Sequence, residues 1–313
     1  MCRSSQLQVA INVKNVSHKF GEHVALDSIT LQVMAGEMYG LLGPNGGGKT
    51  TLFRMLCTML SPDHGEIRLL SKNAATSAVR ARIGVVFQHP SLDARLTVLE
   101  NLRHQGHLYG LKGRLLTQRI EEVLDMMALT DRSKDRVEVL SGGLQRRVEL
   151  CKSLLHRPEI LIFDEPCTGL DPGARRGFWD DLDILRRTYG TTLVLTTHFM
   201  EEAERCDRIG ILDRGRLIAE GTPDALKRTV GCEVIILETR DSKSLQLQIE
   251  KVVGRDVQII DGQVRIPCDD GQRLLAQLYP LLRENVQAMT LSVPTLEDVF
   301  VQRTGHGFQV EDL

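Results

Sequence analysis

Residues 43–51 read GPNGGGKTT, and Gly43-Pro44-Asn45-Gly46-Gly47-Gly48-Lys49-Thr50 satisfies the pattern G-x-x-x-x-G-K-[ST], with Thr51 directly behind it. Glycines let successive backbone N–H groups turn inward around phosphate oxygens, at the positive end of the helix that follows. Lys49 would then reach the β- and γ-phosphates, and the Thr50 hydroxyl would ligate Mg2+. The plain alternative is a glycine-rich turn that happens to precede a helix. With glycine near 7% of residues, a chance match in a chain of this size is about 1%. Further along, Asp164-Glu165 closes the apolar run ILIF. Two adjacent carboxylates at the end of a buried strand are costly unless a cation or a reaction uses them. Asp164 is expected to hold Mg2+ through water, and Glu165 to act as the base that polarises an attacking water. A second glycine cluster, Ser141-Gly142-Gly143 in LSGGLQRRVEL, stands before a basic helix. A glycine pair loses entropy on folding, so something must need bare backbone there too.

The elements that would hold these residues share one design. MYGLL runs into Gly43, IGVVF into Gln88, ILIF into Asp164 and TLVLTT into His198. Short, nearly continuous apolar runs of this kind are strands buried on both faces of a parallel sheet. Ligands of open α/β sheets sit beyond the carboxyl ends of the strands, so these four ends are expected to converge on one site. Earlier, partly alternating Val9, Ile11, Val13 and Val16, then Ile29, Leu31 and Val33, read as short half-buried strands. Helical periodicity near Val98–Tyr109, Leu116–Met127 and Leu144–Leu155 marks a helical insertion at about residues 93–157. From residue 232 the texture changes. CEVIILET, VQIID and QVRIP read as strands, Arg273–Leu282 and Leu296–Gln302 as helices, the last starting at a capping-box-like Thr295-x-x-Asp298. The fold expected is therefore α/β: a P-loop NTPase core over residues 1–230, and a small α+β domain over 232–313.

With these pieces in this order, the chain resembles the nucleotide-binding subunit of ABC transporters over about residues 7–230. The resemblance makes the core RecA-like, with an antiparallel β subdomain and a helical signature subdomain. It implies that Phe20 stacks on adenine, that Gln88 is the Q-loop glutamine with a place among the Mg2+ ligands, and that His198 contacts the γ-phosphate. A lone strand-end histidine would otherwise be read as merely hydrogen-bonded in place. LSGGLQRR corresponds to the signature, ILIFDEP to the Walker B and Gly169-Leu170-Asp171 to the D-loop. LTVLENLRHQGHLYGL, EEAERCDRIGILDRGRLIAEGTP and the closing TLEDVFVQRTG resemble drug-resistance-type, ABC-2 exporter subunits. Departures are small. Gly47 stands for a usual Ala or Ser and is expected only to loosen the loop; Cys167 stands for Thr, Leu144 for Gln or Met, and Phe20 for the commoner Tyr. None removes a catalytic group.

The resemblance also implies a head-to-tail homodimer with two ATP molecules at the seam, each held by one subunit and covered by the other's Ser141, Gly142 and Gly143. Helix N-terminal N–H groups suit a γ-phosphate, and side chains at 142 and 143 are expected to block its approach. An integral-membrane ABC-2-type permease is the implied partner, which would place the chain in the cytoplasm, peripheral on the membrane's inner face. Composition is compatible. A net charge of -2 gives no prior for nucleic acid, and no apolar run approaches the roughly 18 residues of a membrane span. Seven dispersed cysteines without a CxxC pair fit a reducing compartment, each thiol a small core residue. His104-x-x-His107 lacks a third metal ligand and reads as a solvated helix face. The rival from another class is a soluble ABC-type mechanical ATPase working on ribosomes or DNA, which usually carries tandem cassettes or long coiled-coil insertions. The C-terminal domain has no nucleotide motif and is expected to regulate or to stabilise a dimer.

Overall fold

The computed structural model describes residues 8–74, 76–254, 257–282 and 285–308. The chain opens on two long antiparallel strands, β1 (Val9–Phe20) and β2 (His23–Met34), rather than several short ones. The fully buried β3 (Met38–Leu42) leads through the glycine loop into α1 (Lys49–Leu56). β4 (His64–Leu69) and β5 (Lys72–Asn73) return beside β1, closing an antiparallel sheet of order β2-β1-β4-β5. After α2 (Ser77–Arg80) and β6 (Ile83–Val86), three helices follow: α3 (Val98–Leu108), α4 (Gly113–Met126) and α5 (Gly142–Leu154). Then come β7 (Ile160–Asp164), α6 (Pro172–Tyr189), β8 (Thr192–Thr197), α7 (Met200–Ala203), β9 (Arg208–Asp213), β10 (Arg216–Gly221) and α8 (Pro223–Arg228).

The central sheet has the order β10-β9-β3-β8-β7-β6, parallel except for the β10 edge. Register aligns the functional ends. Leu42 lies opposite Thr197, Asp164 opposite Thr196, and Val86 opposite Phe163. The glycine loop, the carboxylate pair and the histidine therefore leave the sheet side by side. β9, a fifth parallel strand, pairs with β3 on its other side, where the sequence reading had placed none.

Local sequence explains where the helices begin. Thr97 and Glu100 form a reciprocal capping box at α3, and Asp171 accepts the N–H groups of Gly173 and Ala174 before Pro172 starts α6. The α3–α5 layer is held by buried Leu102, Ile120, Val123, Val148 and Cys151, an apolar stripe on each helix turned inward. Cys57, Cys151, Cys167, Cys206 and Cys268 are buried, but Cys232 is exposed and so is not the core residue its type predicted.

Beyond Gly231, β11 (Glu233–Glu238), α9 (Ser242–Val253), β12 (Gln258–Ile260), β13 (Gln263–Cys268), α10 (Gly271–Leu282) and β14 (Ala288–Ser292) build a second antiparallel unit of order β12-β13-β11-β14. It has its own core around Ile235, Ile249, Val264 and Leu278. The final helix, α11 (Leu296–Thr304), leaves that unit. Its fully buried Leu296, Val299 and Phe300 share one apolar cluster with Ile209, Ile211 and Leu226 of the first 230 residues. Phe300→Ala is therefore expected to destabilise the nucleotide-binding core by about 3–5 kcal/mol, seen as a lower urea midpoint by far-UV circular dichroism. For the same reason a deletion after Gly231 removes core packing along with whatever else the C-terminal unit does.

Candidate nucleotide site

The glycine loop is pressed against its own chain from behind. A Cβ on Gly43 would meet the Leu212 carbonyl oxygen at 2.3 Å, and one on Gly48, which has φ +104°, would meet the Ala25 carbonyl oxygen at 2.8 Å. Gly215, in the β9–β10 turn, donates its N–H to the Gly47 carbonyl at 3.1 Å. Gly47 does more than loosen the loop: a Cβ there would stand 3.0 Å from the Pro44 carbonyl oxygen and 3.1 Å from that of Leu212. Lys49, 4% exposed, donates to the carbonyls of Gly43 at 2.7 Å and Pro44 at 3.0 Å. Burial pulls its ammonium below the ordinary lysine pKa, and the Glu165 carboxylate 3.6 Å away works against that pull.

The carboxylates have distinct environments. Asp164, buried at the end of β7, accepts the Thr196 hydroxyl at 2.7 Å. Burial pushes its carboxyl above the ordinary range, the Thr196 bond opposes the shift and Glu165 adds to it. Glu165 sits at φ +41°, a left-handed conformation that costs a non-glycine residue about 1 kcal/mol or more. Its N–H donates to Thr196 Oγ1 at 3.0 Å, while Oε2 lies 3.2 Å from His198 Nδ1 and Oε1 faces Lys49. The His198 contact is close but off the line of a hydrogen bond. Burial alone would raise Glu165, yet His198, Lys49 and Thr168 together hold it below the ordinary carboxylate value. A carboxylate kept ionised beside a lysine and a histidine is equipped to accept a proton.

A cleft of about 180 Å3 gathers Phe20, the loop Pro44–Gly48, Lys49, Thr50, Thr51 and Glu165. Phe20 is 49% exposed and stands at right angles to the His18 ring, with centroids 4.6 Å apart. Its position at the mouth leaves an aromatic surface for a flat base. Three of the four strand ends thus meet. Gln88, half-buried beyond β6, does not line this cleft. Nor do Ser141, Gly142 and Gly143: Ser141 and Gly142 face solvent, and Ser141 Oγ caps α5 by accepting the Leu144 N–H at 3.4 Å. The two glycines differ in purpose. A Cβ on Gly142 meets nothing within 4 Å, whereas one on Gly143 would stand 2.8 Å from Ala174 Cβ. Gly143 is required by the packing of α5 on α6 within the chain, whereas Gly142 stands clear of its own chain.

The ABC transporter family matches residues 26–168. Over 95% of its length the chain is 39% identical to a Nod factor export ATP-binding protein I of Rhizobium sp. (strain N33), covering 98% of that protein. Over 97% it is 38% identical to a daunorubicin resistance ATP-binding protein, DrrA3, of Streptomyces coeruleorubidus, again covering 98%. The chain belongs to the ABC transporter family, among its export-type ATP-binding subunits. Solved structures agree. A dimeric ATP-binding cassette in a post-hydrolysis state with ADP and phosphate is 29% identical, with a TM-score of 0.61 over 68% of this chain and 98% of that one. The cbiO1 subunit from Clostridium perfringens, 24% identical, matches the fold with a TM-score of 0.66 over 79% of this chain and 100% of its own. The chain is accordingly an ATP-binding subunit of a transport-coupled ATPase.

Within this ABC subunit, the residues that sequence reasoning passed over lie behind the cleft. Thr196 bridges Asp164 and the Glu165 N–H. Thr197 Oγ1 donates to the buried Glu202 at 2.7 Å and accepts the Phe199 N–H at 2.9 Å, which fixes the turn carrying His198. Both threonines looked like ordinary strand residues; the only signal was a polar pair closing an apolar run. Thr196→Val keeps the shape but leaves Asp164 and the Glu165 N–H without a partner, a loss of about 1–3 kcal/mol. Phosphate release is expected to slow more than ATP binding weakens, which a turnover assay beside a nucleotide titration would show.

Proposed function

We propose that this subunit powers export through a separate ABC-2-type permease, and that its catalytic unit is a head-to-tail homodimer. One observation carries the dimer: the cleft holds the phosphate loop, Lys49 and Glu165, while Ser141 and Gly142 point to solvent elsewhere on the same chain. The free N–H groups at the start of α5 then have no nucleotide in their own subunit and suit the γ-phosphate of a neighbour's. In each site Phe20 stacks on the base, the loop N–H groups and Lys49 hold the phosphates, Glu165 takes the proton of the attacking water, and His198 stabilises charge on the γ-phosphate. The export relatives supply the direction of transport. No helix among the described residues is long and apolar enough to cross a membrane, so the translocation path falls to the permease, at whose cytoplasmic face the dimer would sit.

The donors present fit magnesium. Asp164 is a desolvated carboxylate pressed toward its neutral form, and a divalent cation would relieve that cost. Among the described residues no cluster of three carboxylate, histidine or cysteine side chains forms a protein-only cage. Mg2+ characteristically takes one or two carboxylates, phosphates and water, so Thr50 and Asp164 are its natural holders, and Gln88 would join them only by moving into the cleft from beyond β6. When bound it would supply charge neutralisation for the phosphates.

Complementation tests the arrangement. Lys49→Ala disables a subunit's own phosphate loop, and Gly142→Asp disables what it lends to its neighbour. Mixed together, two inactive proteins are expected to recover activity, because one site of the mixed dimer keeps an intact loop and an intact signature. Gly142 lies in open space, so the aspartate leaves its own fold undisturbed. No recovery, from two proteins that still dimerise, would count against sites shared between subunits. Isolation from membranes with a multi-span protein, rather than with ribosomes or DNA, separates the exporter from a mechanical ATPase.

A further inference from the structure

Away from the cleft, a row of charged side chains, two of them buried, lies along α5. Arg146, Glu149 and Lys152 recur every third residue, and Arg146 and Glu149 are 4% and 2% exposed. All three reach the same short segment. Arg146 Nη1 donates to the Phe87 carbonyl at 2.5 Å. Glu149 Oε1 accepts the Ser91 N–H at 2.8 Å, and Lys152 Nζ donates to the Ser91 carbonyl at 2.5 Å and hydroxyl at 2.7 Å. Lys152 Nζ also lies 3.8 Å from Glu149 Oε1. Residues 87–91 are therefore held near both ends by one face of one helix, and Gln88 lies between the clamps.

Stability alone is a poor reason for this construction. The Arg146 guanidinium is buried with Nε and Nη2 lacking a hydrogen-bond partner, and its ring neighbour Phe178 lies 5.9 Å from its carbon. Burying a charge so incompletely satisfied costs more than packing an apolar side chain of similar volume. What the guanidinium does that a methionine cannot is fix the carbonyl just before Gln88 relative to α5. One helical turn separates that anchor from Ser141–Gly143, and a hydrogen-bonded turn is stiff over its 5.4 Å pitch.

We propose that Arg146, supported by Glu149 and Lys152, is a positioning strut that ties Gln88 to the signature loop of the same chain. It rests on the head-to-tail reading above. When the partner's nucleotide engages Ser141–Gly143 and shifts α5, the strut moves Gln88 relative to the cleft of its own subunit. Occupation of one site is thereby communicated to the other, and Arg146 itself touches neither nucleotide.

A double-mutant cycle tests this. ATP hydrolysis against ATP concentration is measured for the wild type, Arg146→Met, Gln88→Ala and the double variant, with thermal midpoints alongside. Arg146→Met is expected to lower the Hill coefficient toward 1 and kcat by roughly two- to thirtyfold, the usual span for residues that carry coupling. Arg146→Lys, which can still donate to the Phe87 carbonyl, should recover most of the loss. In the Gln88→Ala background the Arg146→Met effect should largely vanish. Lys152→Met provides a second entry from a less buried position, should Arg146→Met fold poorly, and is expected to show the same dependence on Gln88. Effects that simply multiply in the double variants would overturn the strut. ATP-dependent dimerisation of a Glu165→Gln protein is followed by sedimentation in parallel. A dimer with a multiplicative cycle overturns the strut alone, whereas a protein that stays monomeric overturns the head-to-tail reading and the strut with it.

Discussion

Glu165→Gln is expected to bind ATP at least as tightly as the wild type and to hydrolyse it more slowly by about 10²-fold or more. The geometry makes the separation between binding and turnover. Glu165 is not a loop donor; it lies at the far lip of the cleft, its backbone turned to φ +41° and pinned by Thr196. One carboxylate oxygen faces Lys49 and the other His198. Glutamine preserves the volume and the strand-end turn but cannot accept a proton from water. It also removes a negative charge from beside the phosphates, so affinity has no reason to fall. Because His198, Lys49 and Thr168 hold Glu165 below its ordinary pKa, the base is fully ionised at neutral pH. Activity that depends on it is present above the ordinary carboxylate pKa and is lost as pH falls through the depressed folded value, so no decline from this group belongs between pH 6 and 8. Phosphate release and a nucleotide titration on the same preparation decide the matter. Wild-type turnover in the variant would remove Glu165 from the role of base.

What the sequence made legible divides along physical lines. β3, β7 and β8 were readable because a strand buried on both faces is almost continuously apolar, and each runs into the residues that matter. The phosphate loop was readable because its chemistry is contiguous. α9 was not: Leu245, Leu247 and Ile249 alternate like a strand, yet only Leu245 and Ile249, four apart on one helical face, are buried, while Leu247 is 59% exposed. The Asp241 cap, accepting the Ser244 N–H, was the available signal. α11 was placed correctly as a helix, but an apolar stripe says which face is covered and never by what. Its docking on α8 and β10 was therefore beyond reach. Thr196 escaped for a related reason. Its partner Asp164 is 32 residues away, and only the parallel register of β7 and β8 brings them level. Gly143 carries a second demand that the sequence did not show, because Ala174 of the same chain already leaves no room for a Cβ there.

Lys49→Ala is expected to weaken ATP binding itself, by about one to two orders of magnitude. That range corresponds to roughly 1.5–3 kcal/mol for hydrogen bonds from a charged donor. Among the described residues the lysine is the one Lys or Arg lining the cleft, and it is nearly inaccessible. Its ammonium is stripped of water at a cost that shows in its lowered pKa. It is held by two loop carbonyls and faces one carboxylate. Phosphate oxygens arriving in the cleft therefore meet a desolvated charge already in place, which is worth more than the same charge in water. Alanine loses that attraction and leaves Glu165 with His198 and Thr168, so the Glu165 carboxyl moves up toward its ordinary range while the cleft loses the charge that favours anions. Lys49→Met, which keeps the chain length without the charge, is expected to bind as poorly as the alanine variant. Titration of ATP and of adenosine separates the causes. Adenosine, which has no phosphate, should bind both variants and the wild type alike through Phe20, and an equal loss for adenosine would assign the defect to a collapsed loop instead of a missing charge.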